Sequence, residues 1–367
     1  MMLRMNQYRG GYRIASLARR IETAKFMGEQ EYEFVLQQGQ ELLFYPGEEK
    51  VFLEKEEAET LENVGEYSIL EFQDYAAYVY DDACAVDNAL FITNRCNSNC
   101  VMCPVSSTTR KNSTVEPVEN LLKIASQIPT DAEHLTITGG EPFLLKKDIF
   151  RLFSYLKEHL NRTEYLLLTN GRVLADPEYF ECFRETFPEN GIVGIPIHGY
   201  DAVTHDGITR AKGSFQQTMT GLKRLMGTKI RIELRIVVSR LNLDFIQRMA
   251  EMIAKELPGV YTVKFIGLEM LGNARLNREL VWVDYKTSFR AVQESIRYLV
   301  FHGINVGIYN YPLCCVDRSF WPLCERSITD YKVRYLPECD ACRKKDACGG
   351  MFQGTYRWME GIIEAIR

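Results

Sequence analysis

The sequence predicts an α/β protein of parallel β/α units, with a small β-rich region before them and a cysteine-rich region after them. Three observations carry that expectation. From about Ala89 to Glu269, short apolar runs of strand character alternate with amphipathic segments of helical period. Upstream, an acidic stretch from about Glu29 to Asp82 holds β-rich runs around a Pro-Gly turn. Downstream, six of the eleven cysteines crowd between Cys314 and Cys348.

Each element follows from its residues. The opening MMLRMNQYRGGYRIASLARR is basic but lacks the apolar core of a secretory signal. In YEFVLQQGQELLFYPGEEKVFL two β-rich runs flank the Pro-Gly turn, and the KEEAETLENV that follows favours helix. In the central region ALFIT, HLTIT, EYLLLT, GIVGIPIH, IRIELRIVVS and VYTVKFIGL read as strands. Between them DIFRLFSYLKEHL, SFQQTMTGLKRLM and LDFIQRMAEMIAKEL gather their apolar residues on one helical face. The expected division is 1–87, 88–285 and 286–367.

Composition bounds the function. At 367 residues the chain can carry a full barrel plus one or two small appendages. A net charge of -5 and a pI near 5.8 argue against a nucleic-acid surface, which would show a basic stripe. No apolar run approaches the length that spans a bilayer, so no membrane partner is expected. The expected compartment is the reducing cytoplasm, where eleven cysteines suggest metal before disulfide.

Two motifs carry chemistry. Cys96, Cys100 and Cys103 form a C-x3-C-x2-C run directly after the strand-like ALFIT. Three thiolates can hold three irons of a [4Fe-4S] cubane and leave the fourth open. Structural zinc wants four ligands, usually as separated pairs, and no fourth Cys or His lies nearby; inert buried thiols are the other alternative. Downstream, HLTITGGEPFL runs a buried strand into the turn Gly139, Gly140, Glu141, Pro142, which alone is an ordinary Gly-Pro turn.

Together the two motifs resemble the radical S-adenosylmethionine (SAM) superfamily, which pairs a three-cysteine loop after the first strand with a GGE-type turn after the second. The resemblance implies a partial (β/α)6 barrel and an open [4Fe-4S] cluster on the three cysteines. It also implies that SAM chelates the open iron while its amino group sits at Gly139, Gly140, Glu141 and Pro142, where glycines allow close approach. In such barrels the ligand lies at the carboxyl ends of the strands. Thr169 and Asn170, at the end of the third strand, are therefore candidates for the ribose hydroxyls, or form a plain turn. Arg235, inside the fifth strand, is nominated for the SAM carboxylate by similarity; an outward, solvated arginine is the alternative. Met102 could pack on the adenine or simply fill core. IHGYDAVTHDGITRAKGSF resembles a strand-end loop of peptide-modifying members, which makes His198, His205 and Asp206 candidate catalytic residues on the substrate side.

The carboxyl-terminal third holds Cys339, Cys342 and Cys348 in CDACRKKDAC, with Cys314, Cys315 and Cys324 upstream. A fourth thiolate would close the shell of an auxiliary [4Fe-4S] cluster; a closed zinc site is the rival. The spacing resembles the short "twitch" extension of radical SAM peptide maturases. From about Asn88 to Gly354 the chain resembles the radical SAM maturases of the His-Xaa-Ser system, on RCNSNCVMC, ITGGEP, LTNGR, GLEMLGNAR and the tail from GIYNYPLCC to CGGMF. There Cys314 matches the family's upstream cysteine, while Cys315 and Cys324 depart from its pattern. That resemblance implies oxidative modification of a ribosomally made precursor peptide with His-Xaa-Ser repeats, a flavodoxin or ferredoxin electron donor, and a second maturase as partner. A radical SAM enzyme acting on a small molecule shares every barrel motif, and a non-enzymatic zinc or iron-sulfur interaction protein is a third reading. The amino-terminal region is either a cap on the barrel or a peptide-docking module, since a hairpin followed by a helix resembles winged-helix leader-recognition domains.

Overall fold

A computed structural model describes residues 2–29, 32–47, 49–81, 88–328 and 332–367. The amino-terminal region is a seven-stranded sheet of β1 (Met2–Arg4), β2 (Arg13–Ala18), β3 (Phe34–Gln38), β4 (Glu41–Tyr45), β5 (Glu49–Phe52), β6 (Ile69–Gln73) and β7 (Ala76–Asp81). Their order is β1-β7-β6-β2-β3-β4-β5. The hairpins β3-β4 and β4-β5 are the expected β-rich runs, and the helix Lys55–Glu62 follows with a capping box between Glu54 and Glu57. The sheet is larger than the sequence suggested, because β2 finds β6 some fifty residues away, a pairing that local pattern cannot reveal. The boundary expected at residue 87 falls beside residues 82–87, which lie outside the described ones.

This sheet is fastened to the barrel. Ile14 and Ile69 are buried in the barrel's own core cluster. The Ser16 hydroxyl donates to Gln127 at 2.6 Å, and Lys123 pairs with Glu33 at 2.6 Å, both on the helix Val118–Gln127.

The central region is a parallel sheet of β8 (Asn88–Phe91), β9 (His134–Thr138), β10 (Glu164–Leu168), β11 (Ile192–Pro196), β12 (Arg231–Val238), β13 (Thr262–Gly267), β14 (Val306–Tyr309) and β15 (Cys324–Glu325), laid side by side in chain order. It bears the radical SAM α/β fold that the motifs implied. One face packs on the helices: Val193, Ile195, Leu234, Ile236, Val263 and Phe265 are buried with Leu152, Leu156, Leu222, Met249, Ile253 and Val292. Each such side chain contributes about 2 kcal/mol by leaving water. The opposite face carries the polar alternation, including Glu233, Arg235, Lys264 and Tyr309.

The sheet extends beyond the six expected units. Helix Tyr285–Phe301 leads into β14, and β15 adds an eighth strand. Strands of four and two residues are too short for periodicity to expose. Beyond them the chain is mostly 3-10 turns around the antiparallel pair β16 (Val333–Arg334) and β17 (Met351–Phe352). Among the described residues no helix is long and apolar enough to cross a membrane.

Candidate functional site

The loop bearing Cys96, Cys100 and Cys103 leaves β8 at the carboxyl end of the sheet, and the turn after β9 docks against it through backbone. Gly140 N donates to Thr93 O at 2.6 Å, and Glu141 N donates to Arg95 O at 2.9 Å. A Cβ on Gly140 would lie 2.2 Å from Arg95 O, and one on Gly139, which has φ +149, would lie 2.5 Å from Thr93 O. Both glycines are therefore needed for the approach of two backbones.

Glu141 joins this turn to the next one. Its buried carboxylate accepts from Phe143 N at 3.1 Å, from the Thr169 hydroxyl at 2.7 Å and from Asn170 N at 2.8 Å. Burial pushes its carboxyl up, against the pull of those three donors. Pro142 starts the 3-10 turn Pro142–Leu145. Asn170 then reaches the cysteine loop: its Nδ2 donates to Asn97 Oδ1 at 2.6 Å and lies 3.9 Å from Cys96 Sγ. The turns nominated from sequence are thus brought together with the cysteines.

Other residues grip the loop from behind, and sequence reasoning missed them. Asn273 Nδ2 donates to Cys100 O at 3.1 Å, Asn273 N donates to Cys103 O at 2.9 Å, and Asn277 Nδ2 donates to Val101 O at 2.9 Å. Buried Arg110 donates to Ser98 O at 2.8 Å, and Arg172 to Asn97 O at 2.7 Å. Asn99 N and Val101 N donate to Thr209 O and Ile208 O at 2.9 and 3.0 Å, so the end of the helix Ala202–Thr209 backs the loop. The motifs LTNGR and GLEMLGNAR were the available signal for Arg172 and Asn273.

The donor set fits an iron-sulfur cluster. Cys96 Sγ accepts from Ser98 N at 3.4 Å. Burial pushes the Cys96 thiol up and the Cys100 thiol up to about 12. Thiols so placed ionise when metal cations replace their protons.

The remaining nominated residues take clear places. Met102 is buried with Val101, Ile208, Leu268 and Met270, the core-filling alternative. His205 Nδ1 accepts from His198 N at 3.2 Å, and the Nδ1 of buried His198 has no hydrogen-bond partner among the described residues. Burial pushes His198 down to about 3 and His205 down to about 4. Asp206 is occupied within the fold: its carboxylate accepts from Gly213 N, the Ser214 hydroxyl and Phe215 N at 2.6, 2.8 and 2.8 Å, which anchors the helix Ser214–Leu225. Arg235 lies on the inner face, 3.2 Å from Glu233 and with its guanidinium carbon 5.8 Å from the ring centre of Tyr309. It is therefore not an outward, solvated arginine, and it already has one carboxylate within the chain.

In the carboxyl-terminal region Cys314, Cys339, Cys342 and Cys348 line one cavity, together with Leu313, Tyr335, Lys344 and Met351. Cys348 Sγ accepts from Leu313 N and Gly350 N at 3.4 Å each. Cys315 is buried in the barrel core with its thiol hydrogen-bonded to that of Cys314, and Cys324 Sγ turns to Phe320 O at 3.7 Å.

Comparison with known proteins agrees with this geometry. Residues 90–253 match the model of the radical SAM superfamily. An AdoMet-dependent heme synthase of Methanosarcina barkeri is 31% identical over 179 residues, 48% of this chain and 49% of that protein. The antilisterial bacteriocin subtilosin biosynthesis protein AlbA of Bacillus subtilis is 30% identical over 164 residues, 44% of this chain and 35% of AlbA. The chain thus spans about half or less of the length of these relatives. The structure of Streptococcus suis SuiB bound to precursor peptide SuiA superposes with a TM-score of 0.51 at 12% identity, over 79% of this chain and 73% of SuiB, a likeness of fold.

Proposed function

We propose that this chain is a radical SAM enzyme that oxidatively modifies a ribosomally made precursor peptide, as a maturase of the His-Xaa-Ser type. The observation that carries the reading is the pairing of two cysteine sites, three cysteines at the carboxyl ends of the strands and four around a second cavity. When bound, a [4Fe-4S] cluster on Cys96, Cys100 and Cys103 with SAM supplies a 5′-deoxyadenosyl radical able to remove a hydrogen atom from an unactivated carbon. The chain's part is to orient SAM and to keep water from the radical. Gly139, Gly140 and Thr169–Asn170 border the loop where the SAM amino group and ribose would lie, and Arg235 is the cation on the inner face for its carboxylate. A closed auxiliary cluster on Cys314, Cys339, Cys342 and Cys348 would supply one-electron acceptance, which favours net oxidation over epimerisation. A flavodoxin or ferredoxin is the fitting electron donor, and the amino-terminal sheet is available to dock a leader or a second maturase.

The AlbA relative, a bacteriocin biosynthesis protein, supports a peptide substrate. The heme synthase relative favours a second reading, a small-molecule substrate. Co-expression with a neighbouring repeat peptide, followed by mass spectrometry, separates them. The expected result is a loss of about two mass units per modified site, the mass of two hydrogens. An unchanged peptide alongside turnover of a metabolite would establish the second reading.

A further inference from the structure

The outward side of the three-cysteine loop is where three other segments meet. Asn99, exposed and one residue before Cys100, donates from its backbone N to Thr209 O at 2.9 Å, while its Oδ1 accepts from Asn273 Nδ2 at 3.3 Å and from the Arg110 guanidinium. Each of these partners has a cation beside it in the chain. Lys111 follows Arg110, Arg210 and Lys212 follow Thr209, and Arg275 stands two residues after Asn273. All four are exposed, and none forms an ion pair among the described residues.

No carboxylate offsets this charge from within. The runs 95–115, 207–232 and 270–278, which contain the loop and the three segments, hold no Asp or Glu. At their borders Asp206 is taken up by Gly213 N, the Ser214 hydroxyl and Phe215 N, and Glu279 pairs with Arg278 at 3.2 Å. On a chain of net charge -5 the face around Asn99 is therefore a local excess of positive charge. Two exposed leucines border it, Leu276 at 73% and Leu280 at 51%; the first adjoins Asn277, whose Nδ2 donates to Val101 O at 2.9 Å. Apolar contact beside charges of one sign is how a transient partner is steered and seated. Cys96, Cys100 and Cys103 are only half-buried, so a partner on this face stands against the chain that carries them.

We propose that this face is the docking site of an acidic one-electron carrier protein of the flavodoxin or ferredoxin class. The proposal rests on the radical SAM reading above but not on its peptide substrate. Reduction of SAM to methionine and a 5′-deoxyadenosyl radical takes up one electron, which such a carrier gives up as it is oxidised. An acidic surface approaching the loop meets the four cations first, and that attraction raises the rate of productive encounter.

The test compares two full-length, anaerobically reconstituted triple variants that change the net charge equally. The first, Lys111→Glu with Lys212→Glu and Arg275→Glu, reverses the face and leaves Arg210, at φ +52, in place. The second, Lys25→Glu with Arg162→Glu and Lys229→Glu, reverses exposed cations on the helix Ile21–Glu29 and just before β10 and β12, at the opposite end of the strands from the loop. With a reduced flavodoxin of net negative charge below saturation, 5′-deoxyadenosine formation should fall by about tenfold or more in the first variant and stay at the wild-type rate in the second. With dithionite as reductant, the rate and the iron content should equal wild type in both. Titration calorimetry with oxidised flavodoxin at low ionic strength should show binding lost in the first variant alone. Equal flavodoxin binding by the two variants would overturn the proposal, and so would a first variant that is slow with dithionite, which would place these cations in the SAM site. A wild-type chain that forms no 5′-deoxyadenosine with dithionite would instead sink the radical SAM reading and the docking site with it.

Discussion

The two cysteine groups are held in opposite ways. Cys96, Cys100 and Cys103 lie on a loop gripped by the turns after β9 and β10, by the helix Ala202–Thr209 and by Asn273 and Asn277, so that its position depends on residues far apart in the chain. Cys314, Cys339, Cys342 and Cys348 come from short turns whose regular pairing among the described residues is the two-residue ladder β16-β17. Under the proposed function, a cluster with an open iron on the first group would need an aimed loop. A closed cluster on the second would need only its four ligands, which would themselves organise the turns around it.

The sharpest way to break this contrast is to add one carbon to the first grip. In Gly140→Ala the new Cβ would meet Arg95 O at 2.2 Å and Asn94 O at 2.6 Å, backbone atoms that cannot swing aside. We expect a stability loss of about 3 kcal/mol or more in denaturant titration, with iron lost from the first site. Gly207→Ala, on a helix of the same barrel and with open space around it, is the control, neutral or stabilising by up to about 1 kcal/mol. Equal behaviour of the two variants would show that the close approach carries no weight.

Iron content sharpens the contrast next. Reconstituted protein should hold about eight irons as two cubanes. Replacing Cys96, Cys100 and Cys103 by Ala should remove roughly half of the iron and abolish SAM cleavage, and Cys314→Ala should remove the other half. Cys324→Ser should leave the iron unchanged, because Cys324 does not line the second cavity and its thiol turns to Phe320 O. Near-stoichiometric zinc in anaerobically isolated protein would refute the auxiliary cluster.

The strands β9 to β13 were legible in the sequence because each carries five to eight residues of apolar alternation bounded by turns. The cysteine loop and the two turns beside it were legible because their residue types declare themselves locally. Their geometry was not. Asn273 touches Cys100 across 173 positions, and although GLEMLGNAR marks the segment, nothing in it shows which loop its asparagine will clamp. The converse held for Asp206, whose place in an HD pair suggested chemistry, while its oxygens in fact hold the start of the next helix. Glu233 beside Arg235 was hidden for the same reason: alternation marks a face, not the partner that a charge will meet there.

The smallest expected effect is on pH. His198 and His205 lie behind the first grip, in the stretch that ends with Ile208 and Thr209 against the cysteine loop. Burial holds both rings neutral in the fold, at about 3 and about 4 from an ordinary 6.5. In the unfolded chain each ring takes up a proton below that ordinary value, so the unfolded state binds more protons between pH 6.5 and about 4. Stability is therefore flat in this respect above neutrality and falls with acid, by about 1–2 kcal/mol per histidine on reaching pH 5. Urea midpoints measured from pH 7.5 to pH 5 should show that slope. His205→Asn, whose side-chain oxygen can still accept from His198 N, should remove about half of it. An unchanged slope in that variant would mean that the acid sensitivity arises elsewhere, and that the histidine pair does not couple pH to the grip on the cysteine loop.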